Sequence, residues 1–432
     1  MNDLTLARLE TFRQLKKEIR GSETHLIVGI DVAKEKHHAF FGTATGKSLL
    51  RRMIFDNNRT GFDTLLHRAR SIMGQEGLTK VVFGVEPTAD YHKPLGEFLI
   101  NNGFDVVMVS NNTAKHNRAS LDGRWDKNDT KDSANVADLI SQGKFLYYDL
   151  PPNRKIRDLR NLLSLRKKLK AHEHSIRIRI RNHLVSQFFP ELDRFYGHRE
   201  EENLAIVKWC LDPRKISAME FREFFQLVTR RDRGAGQHEH LRTIHEAARS
   251  SIGCEVGSAA IFEAKMLVTK LVVMRESITE VDNEIKKVCR DLPGYETIMS
   301  IPGIGPTVAS AILAAIGEEP RRFSSAKKVL KLAGLNLSAS RSGKNAEKVT
   351  PRLSKSGKGS LRYALYQAAV IATSRNPYFI EYFTRLLKGR EREPGIKTKM
   401  RVKVAAKMLV IAWTLLKNGE SFQGKYLLNQ TN

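Results

Sequence analysis

Between residues 25 and 142 short apolar runs alternate with longer amphipathic ones, and this alternation narrows the fold more than any other feature of the chain. HLIVGIDVA (25–33), KHHAFFGT (36–43) and SLLRRMIFD (48–56) are rich in β-branched or aromatic residues and lie close together, as hairpin-linked strands do. GFDTLLHRARSIM (61–73) has helical spacing, KVVFGVE (80–86) reads as a strand, and a helix follows around HKPLGEFLINNG (92–103). A strand at DVVMVS (105–110) and a helix from Asp129 to about 142 complete the series. Three strands followed by alternating helix and strand predict a mixed sheet covered by helices.

That order is the layout of a ribonuclease-H-like fold. Its acids stand at informative places. Asp31 ends the first apolar strand and Glu86 ends a later one that lies beside it in this topology, while NDTKDSANVADLI sets Asp129 and Asp132 three apart on one helix face. Taken alone, Asp129 caps the helix and Asp132 complements the dipole of its first turn. Four converging carboxylates, by contrast, demand cations, and hard divalent ions with oxygen ligands are the natural choice. Two such ions can activate or align phosphodiester oxygens. Glu35, Asp56, Asp90, Asp126 and Asp138 read as turn or solvent-facing residues, Asp126 staying an alternative should the register before the helix shift by a turn.

From about 151 to 290 the pattern is helical. RNLLSLRKKLKAHEHSIRIRIRNHLV (160–185) interleaves apolar positions with cations, and Leu267, Leu271, Met274, Ile278, Val281, Ile285 and Val288 form a heptad seam. Two long helices around a helical insertion (about 190–255) predict a coiled-coil stalk that also serves oligomerisation. From 291 onward come short helices with Gly-containing turns. IPGIGPTVASAILAAIG (301–317) resembles a helix-hairpin-helix element whose turn offers backbone N–H groups to a phosphate; the alternative is a tight αα turn. Residues 321–360 hold eleven Lys or Arg against one acid, Glu347, with Ser338, Ser340, Ser342, Ser354, Ser356 and Ser360 among Gly-rich turns. A serine there can bind phosphate, act as nucleophile or simply sit in a loop, and composition does not choose.

Lys and Arg outnumber Asp and Glu by 73 to 47, an excess of +26 that points to a polyanion, with nucleic acid first. A membrane partner is disfavoured: VAAKMLVIAWTLL (404–416) is too short to span and contains Lys407. MNDLTLARLE lacks the layout of a secretion signal, so the expected location is the cytoplasm. Cys210, Cys254 and Cys289 are isolated, and His238, His240, His245 and Cys254 match no standard zinc spacing.

GIDVAKEKH, VEPT, NDTKDSANVADLI, IPGIGPTVASAIL, AGLNLSASRSGK and SKSGKGSLRYAL, in that order and spacing, resemble the DEDD-type insertion-sequence transposases related to the Piv invertase, which are RNA-guided recombinases. The resemblance covers about 24–150 and 290–415. It implies a RuvC-like catalytic domain at 1–150, a helical coiled-coil domain at 151–290, a mainly α-helical C-terminal transposase domain at 291–420 and a tail at 421–432. It puts Asp31, Glu86, Asp129 and Asp132 at the four acidic positions, holding Mg2+ (or Mn2+), and makes Ser342 the nucleophile with Ser340 in reserve. Gly303, Gly305, Arg341, Gly343, Lys344, Lys355, Lys358 and Arg362 are the expected nucleic-acid contacts. The implied partners are double-stranded target and donor DNA, a noncoding guide RNA encoded by the element, and further copies of the chain, as dimer or tetramer through the stalk. The implied setting is the nucleoid of a bacterial or archaeal cell. Readout by base pairing explains why no recognition helix or zinc finger is evident. The competing readings are a metal-dependent, structure-selective nuclease without serine chemistry, and a non-enzymatic nucleic-acid-binding protein.

Overall fold

A computed structural model of the chain describes residues 2–122, 129–150, 153–195, 200–317, 319–338, 351–424 and 427. It divides into two compact units, Met1–Arg154 with Glu318–Ser324, and Lys155–Gly317 with Ser325–Asn432.

The first unit runs α1 (Asn2–Glu18), β1 (His25–Asp31), β2 (Lys36–Thr43), β3 (Ser48–Asp56), α2 (Arg59–Glu76), β4 (Lys80–Glu86), α3 (His92–Asn101), β5 (Asp105–Met108), α4 (Asn111–Asp122), α5 (Asp129–Ser141) and β6 (Leu146–Tyr147). The strands form one mixed sheet in the order β3-β2-β1-β4-β5-β6. β1 is buried from His25 to Ile30, as a central strand covered on both faces must be, whereas edge strand β3 exposes Arg51 and Arg52. Period-two alternation sorts the side chains. Leu26, Val28 and Ile30 pack with Phe62 and Leu65 of α2 and Leu95 and Leu99 of α3. Ile27, Val82 and Val107 face the other way, against Val136, Leu139 and Ile140 of α5, Leu15 of α1 and Ile19 just beyond α1. β1 and β4 are neighbours, as expected from the sequence. Helices α1 and α4 and the short strand β6 were not.

The second unit is mainly helical. α6 (Arg154–Arg179) continues through a π-helical stretch, Ile180–Val185, into Ser186–Phe188, and the chain returns along the helix Ser258–Arg290. Lys155 pairs with Asp291, Arg166 with Asp282, Glu173 with Arg275 and Arg179 with Glu263, a reversed order that makes the two long helices antiparallel. Between them the helices Glu200–Trp209, Pro213–Ala218, Phe221–Val228 and Ala235–Arg249 enclose a core containing Phe189, Ile206, Phe224 and Leu241. Of the heptad seam, Leu271, Ile278 and Ile285 are buried within the single chain, while Leu267, Met274, Val281 and Val288 are half-buried. The C-terminal helices Gly359–Arg375, Pro377–Leu387 and Ile396–Asn418 pack through Leu365, Ala369, Met408 and Ala412. Among the described residues no helix is long and apolar enough to cross a membrane.

Candidate active site

The site begins with register. Parallel pairing of β1 and β4 places Asp31 opposite Glu86 at the carboxyl ends of both strands. Such partners lie about 5 Å apart across a ladder. On the other side of β1, antiparallel β2 sets His38 opposite Asp31. His38 Nε2 in turn lies 3.2 Å from Asp129 Oδ2 at the start of α5. Asp132, one helical turn further in, is only 1% exposed. Its carboxylate is in ion-pair contact with the Arg118 guanidinium from α4, which also reaches Glu86 at 3.9 Å. Register thus sets Asp31, Glu86 and His38 on one row of strand ends, His38 contacts Asp129, and Arg118 contacts Asp132 and lies near Glu86, with Asp129 the most exposed of the acids.

Several contacts hold this arrangement. Gly29 lets α5 sit directly on β1: a Cβ there would fall 2.3 Å from the Ser133 carbonyl oxygen and 2.5 Å from the Ala137 nitrogen. The loop after Asp31 is clamped from two sides. His37, fully buried, accepts at Nδ1 from the Ala33 N–H (3.1 Å), while the Asn57 side chain donates to the Lys34 carbonyl (3.1 Å). Burial holds the His37 pKa below its ordinary value, which keeps the ring neutral and Nδ1 able to accept. α4 is tied to α5 by the buried Asn135, which donates to the Ala114 carbonyl (2.9 Å) and accepts from Asn117 (2.9 Å). Asn117 also donates to Asp138 (2.6 Å), so Asp138 is an inter-helix acceptor rather than the turn or solvent-facing residue expected from the sequence. Glu35, Asp56 and Asp90 are exposed, and Asp126 lies outside the described residues.

The donors suit a hard cation. All four are carboxylates, and the buried one is already held against positive charge. Among the described residues, however, no three His, Cys, Asp or Glu side chains are gathered as a metal-holding group.

In the second unit, Gly303 (φ +83°) brings its turn against the helix Gly359–Arg375, where a Cβ would lie 2.6 Å from the Ala368 carbonyl oxygen. Gly305 precedes the helix Pro306–Ile316 in open space. Arg362 donates to the Ala333 carbonyl (2.9 Å), stapling the end of the helix Ala326–Ala333, and Lys355 adopts a left-handed φ of +52° beside it. Lys358 stands at the start of the helix Gly359–Arg375. Ser340, Arg341, Ser342, Gly343 and Lys344 lie outside the described residues. The ends of their segment are paired, Leu337 with Leu353 and Ser338 with Arg352.

Two transposase family models match the chain. One, described as a transposase of the DEDD IS110 type, covers residues 28–190; the other, described as the IS116/IS110/IS902 transposase family, covers residues 295–384. The chain belongs to the IS110 transposase family. It is similar to an uncharacterised 44.8 kDa protein of insertion element IS116 from Streptomyces clavuligerus, at 22% identity over 94% of this chain and 98% of that protein. An uncharacterised 43.6 kDa protein of insertion element IS110 from Streptomyces coelicolor is likewise 22% identical, over 93% of this chain and 96% of its own length. As a DNA transposase, the enzyme acts on a polyanion, in keeping with its net charge of +26.

All four acids and both of their partners fall in the first matched region of the transposase. Sequence reasoning missed Arg118, His38 and Gly29. For Gly29 a signal was present, since an isolated glycine inside a strand marks close approach by another backbone. For His38 it was the alternation of β2, which places it on the same strand-end row as Asp31.

Proposed function

We propose that the transposase cuts and rejoins target and donor DNA by a serine-mediated strand transfer at a metal-assisted acidic site, guided by a noncoding RNA encoded by its element. The observation that carries the reading is the pairing of Asp31 with Glu86 on adjacent strand ends, with Arg118 between Glu86 and Asp132, and with His38, opposite Asp31 in register, in contact with Asp129. Asp31, Glu86 and Asp132 would hold Mg2+ (or Mn2+), with Asp129 at the outer edge. When bound, such an ion withdraws charge from a phosphodiester oxygen. Ser342 Oγ attacks the phosphorus; the Oγ–P bond forms as the P–O3′ bond breaks, and the serine proton leaves with the freed 3′ hydroxyl. Attack by a 3′ hydroxyl on the phosphoserine reverses the step and joins the exchanged strands.

Gly303, Gly305, Arg341, Gly343, Lys344, Lys355 and Lys358 are the proposed backbone contacts to nucleic acid, and Arg362, which donates to the Ala333 carbonyl, supports them. Copies of the chain associate through the stalk. Phe262, Met266 and Val273, at 65%, 40% and 55% exposure, lie on one face of the helix Ser258–Arg290 and support an unpartnered apolar stripe there.

The test compares Ser342→Ala with Asp31→Ala. The first is expected to abolish strand transfer and the covalent protein–DNA adduct, the second to abolish cleavage altogether. Cleavage that survives Ser342→Ala at the parent rate would instead establish a nuclease acting through the acids alone.

A further inference from the structure

Asp132 is almost completely buried and Glu86 largely so, with 2% and 14% of their side chains exposed. Two carboxylates in such surroundings repel each other and lose hydration, so they need a compensating charge at all times. Arg118 supplies it. Its guanidinium contacts Asp132, lies 3.9 Å from Glu86, and is itself only 17% exposed. It does not reach there by chance flexibility: α4, from which it projects, is pinned to α5 through Asn117, Asn135 and the Ala114 carbonyl. The same arrangement accounts for the absence, among the described residues, of a gathered metal-holding group of carboxylates. A guanidinium is wider than a divalent ion, so carboxylates disposed around its nitrogens need not close in on one point as the ligands of an ion must.

We propose that Arg118 is a built-in counter-cation of the acidic site, which holds Glu86 and Asp132 while no metal is bound and which a divalent ion must displace to enter. This rests on the metal-assisted reading above and adds a competition to it. Arg118 is thus a positioning residue that sets the metal concentration at which the site assembles. Because ion and guanidinium compete for the same oxygens, occupancy by either excludes the other from Asp132. Once released, the guanidinium remains tethered beside the site by α4, within reach of any phosphate drawn to the bound ion.

The experiment is a Mn2+ titration of the full-length chain followed by electron paramagnetic resonance of the free ion, without DNA. Arg118→Gln removes the competing charge and keeps a hydrogen-bonding side chain. Removing a charge-assisted contact of this kind is expected to tighten Mn2+ binding about tenfold. Arg118→Lys, which keeps the charge but loses the forked geometry, should fall between Gln and the parent chain. In thermal melts Arg118→Gln should be less stable than the parent without metal, and the difference should shrink as Mn2+ is added. A purely structural arginine would not raise metal affinity above that of the parent. Unchanged or weaker Mn2+ binding in both folded Arg118 variants overturns the competition. Asp132→Asn separates the two readings: if it abolishes Mn2+ binding while Arg118→Gln gains nothing, the metal site stands and the counter-cation role falls. No Mn2+ binding by the parent chain overturns both.

Discussion

Gly29→Ala tests how tightly the acidic site depends on the distance between β1 and α5. The added methyl would sit 2.3 Å from the Ser133 carbonyl oxygen, 2.5 Å from the Ala137 nitrogen and 2.9 Å from the Ala137 Cβ. Two of those atoms are helix backbone, which cannot turn aside as a side-chain tip can. Ordinary contact requires roughly 3.4 Å, so α5 must withdraw by about 1 Å, carrying Asp129 and Asp132 away from Asp31. Overpacking of this kind costs about 1–3 kcal/mol, equivalent to roughly 2–12 °C in the melting temperature of a unit the size of Met1–Arg154 with Glu318–Ser324. A displacement of that size among reacting groups lowers activity by about a hundredfold. Gly84→Ala is the matched control on the neighbouring strand. There the methyl meets Ile140 Cδ1 at 2.0 Å, the end of a flexible side chain that rotates away at a cost of about 0.5–1.5 kcal/mol. Scanning fluorimetry and a plasmid strand-transfer assay on both variants decide the matter: Gly29→Ala should lose most activity and Gly84→Ala should keep most of it. Equal activity in the two, or an unshifted melting temperature for Gly29→Ala, would refute the close-packing account.

Two further predictions concern the supports of the site. His25, His37 and His92 all have pKa values lowered chiefly by burial, so below about pH 6.5 the unfolded chain takes up protons that the folded one refuses. Their contribution to stability is therefore present above the ordinary histidine pKa and lost as the pH falls through the lowered values; urea midpoints should drop between pH 7.5 and 5.5, less so in His37→Gln, and a flat profile would contradict the neutral His37 clamp. Asn135→Ala removes both the donor to the Ala114 carbonyl and the acceptor of the Asn117 amide, a loss of about 1–3 kcal/mol measurable by denaturant unfolding. An effect within error would mean that α4 is held by other contacts.

The strands and α5 were legible in the sequence because their apolar spacing is strong. β1 is apolar on both faces, β4 likewise, and α5 buries Val136, Leu139 and Ile140 at helical spacing, so the neighbouring strand ends and their acids followed from topology. Helix α4 was illegible for the opposite reason. NNTAKHNRASLD has no apolar stripe, and its fully buried Ala114 is too small to mark a face. It is held by side-chain hydrogen bonds to α5, which leave no periodic trace, and so Arg118, the residue that meets the buried carboxylates, could not be singled out. Helix α1 was passed over although Phe12 and Leu15 pack on one side with Ile19 just beyond its end, because its remaining residues are mostly polar. The heptad seam was half legible. Heptad spacing identified Leu271, Ile278 and Ile285, and the helix at 160–185 was read as its long companion, but nothing in the spacing of the α6 cations marked which of them pair across to Asp282 and Glu263.

The most direct test of the central claim is anomalous diffraction at the manganese edge from crystals of the full chain grown with Mn2+. The account predicts a peak among the carboxylates of Asp31, Glu86 and Asp132, with Arg118 no longer in contact with Asp132. A peak elsewhere on the chain, or an intact Arg118–Asp132 pair beside a saturated metal site, would contradict it.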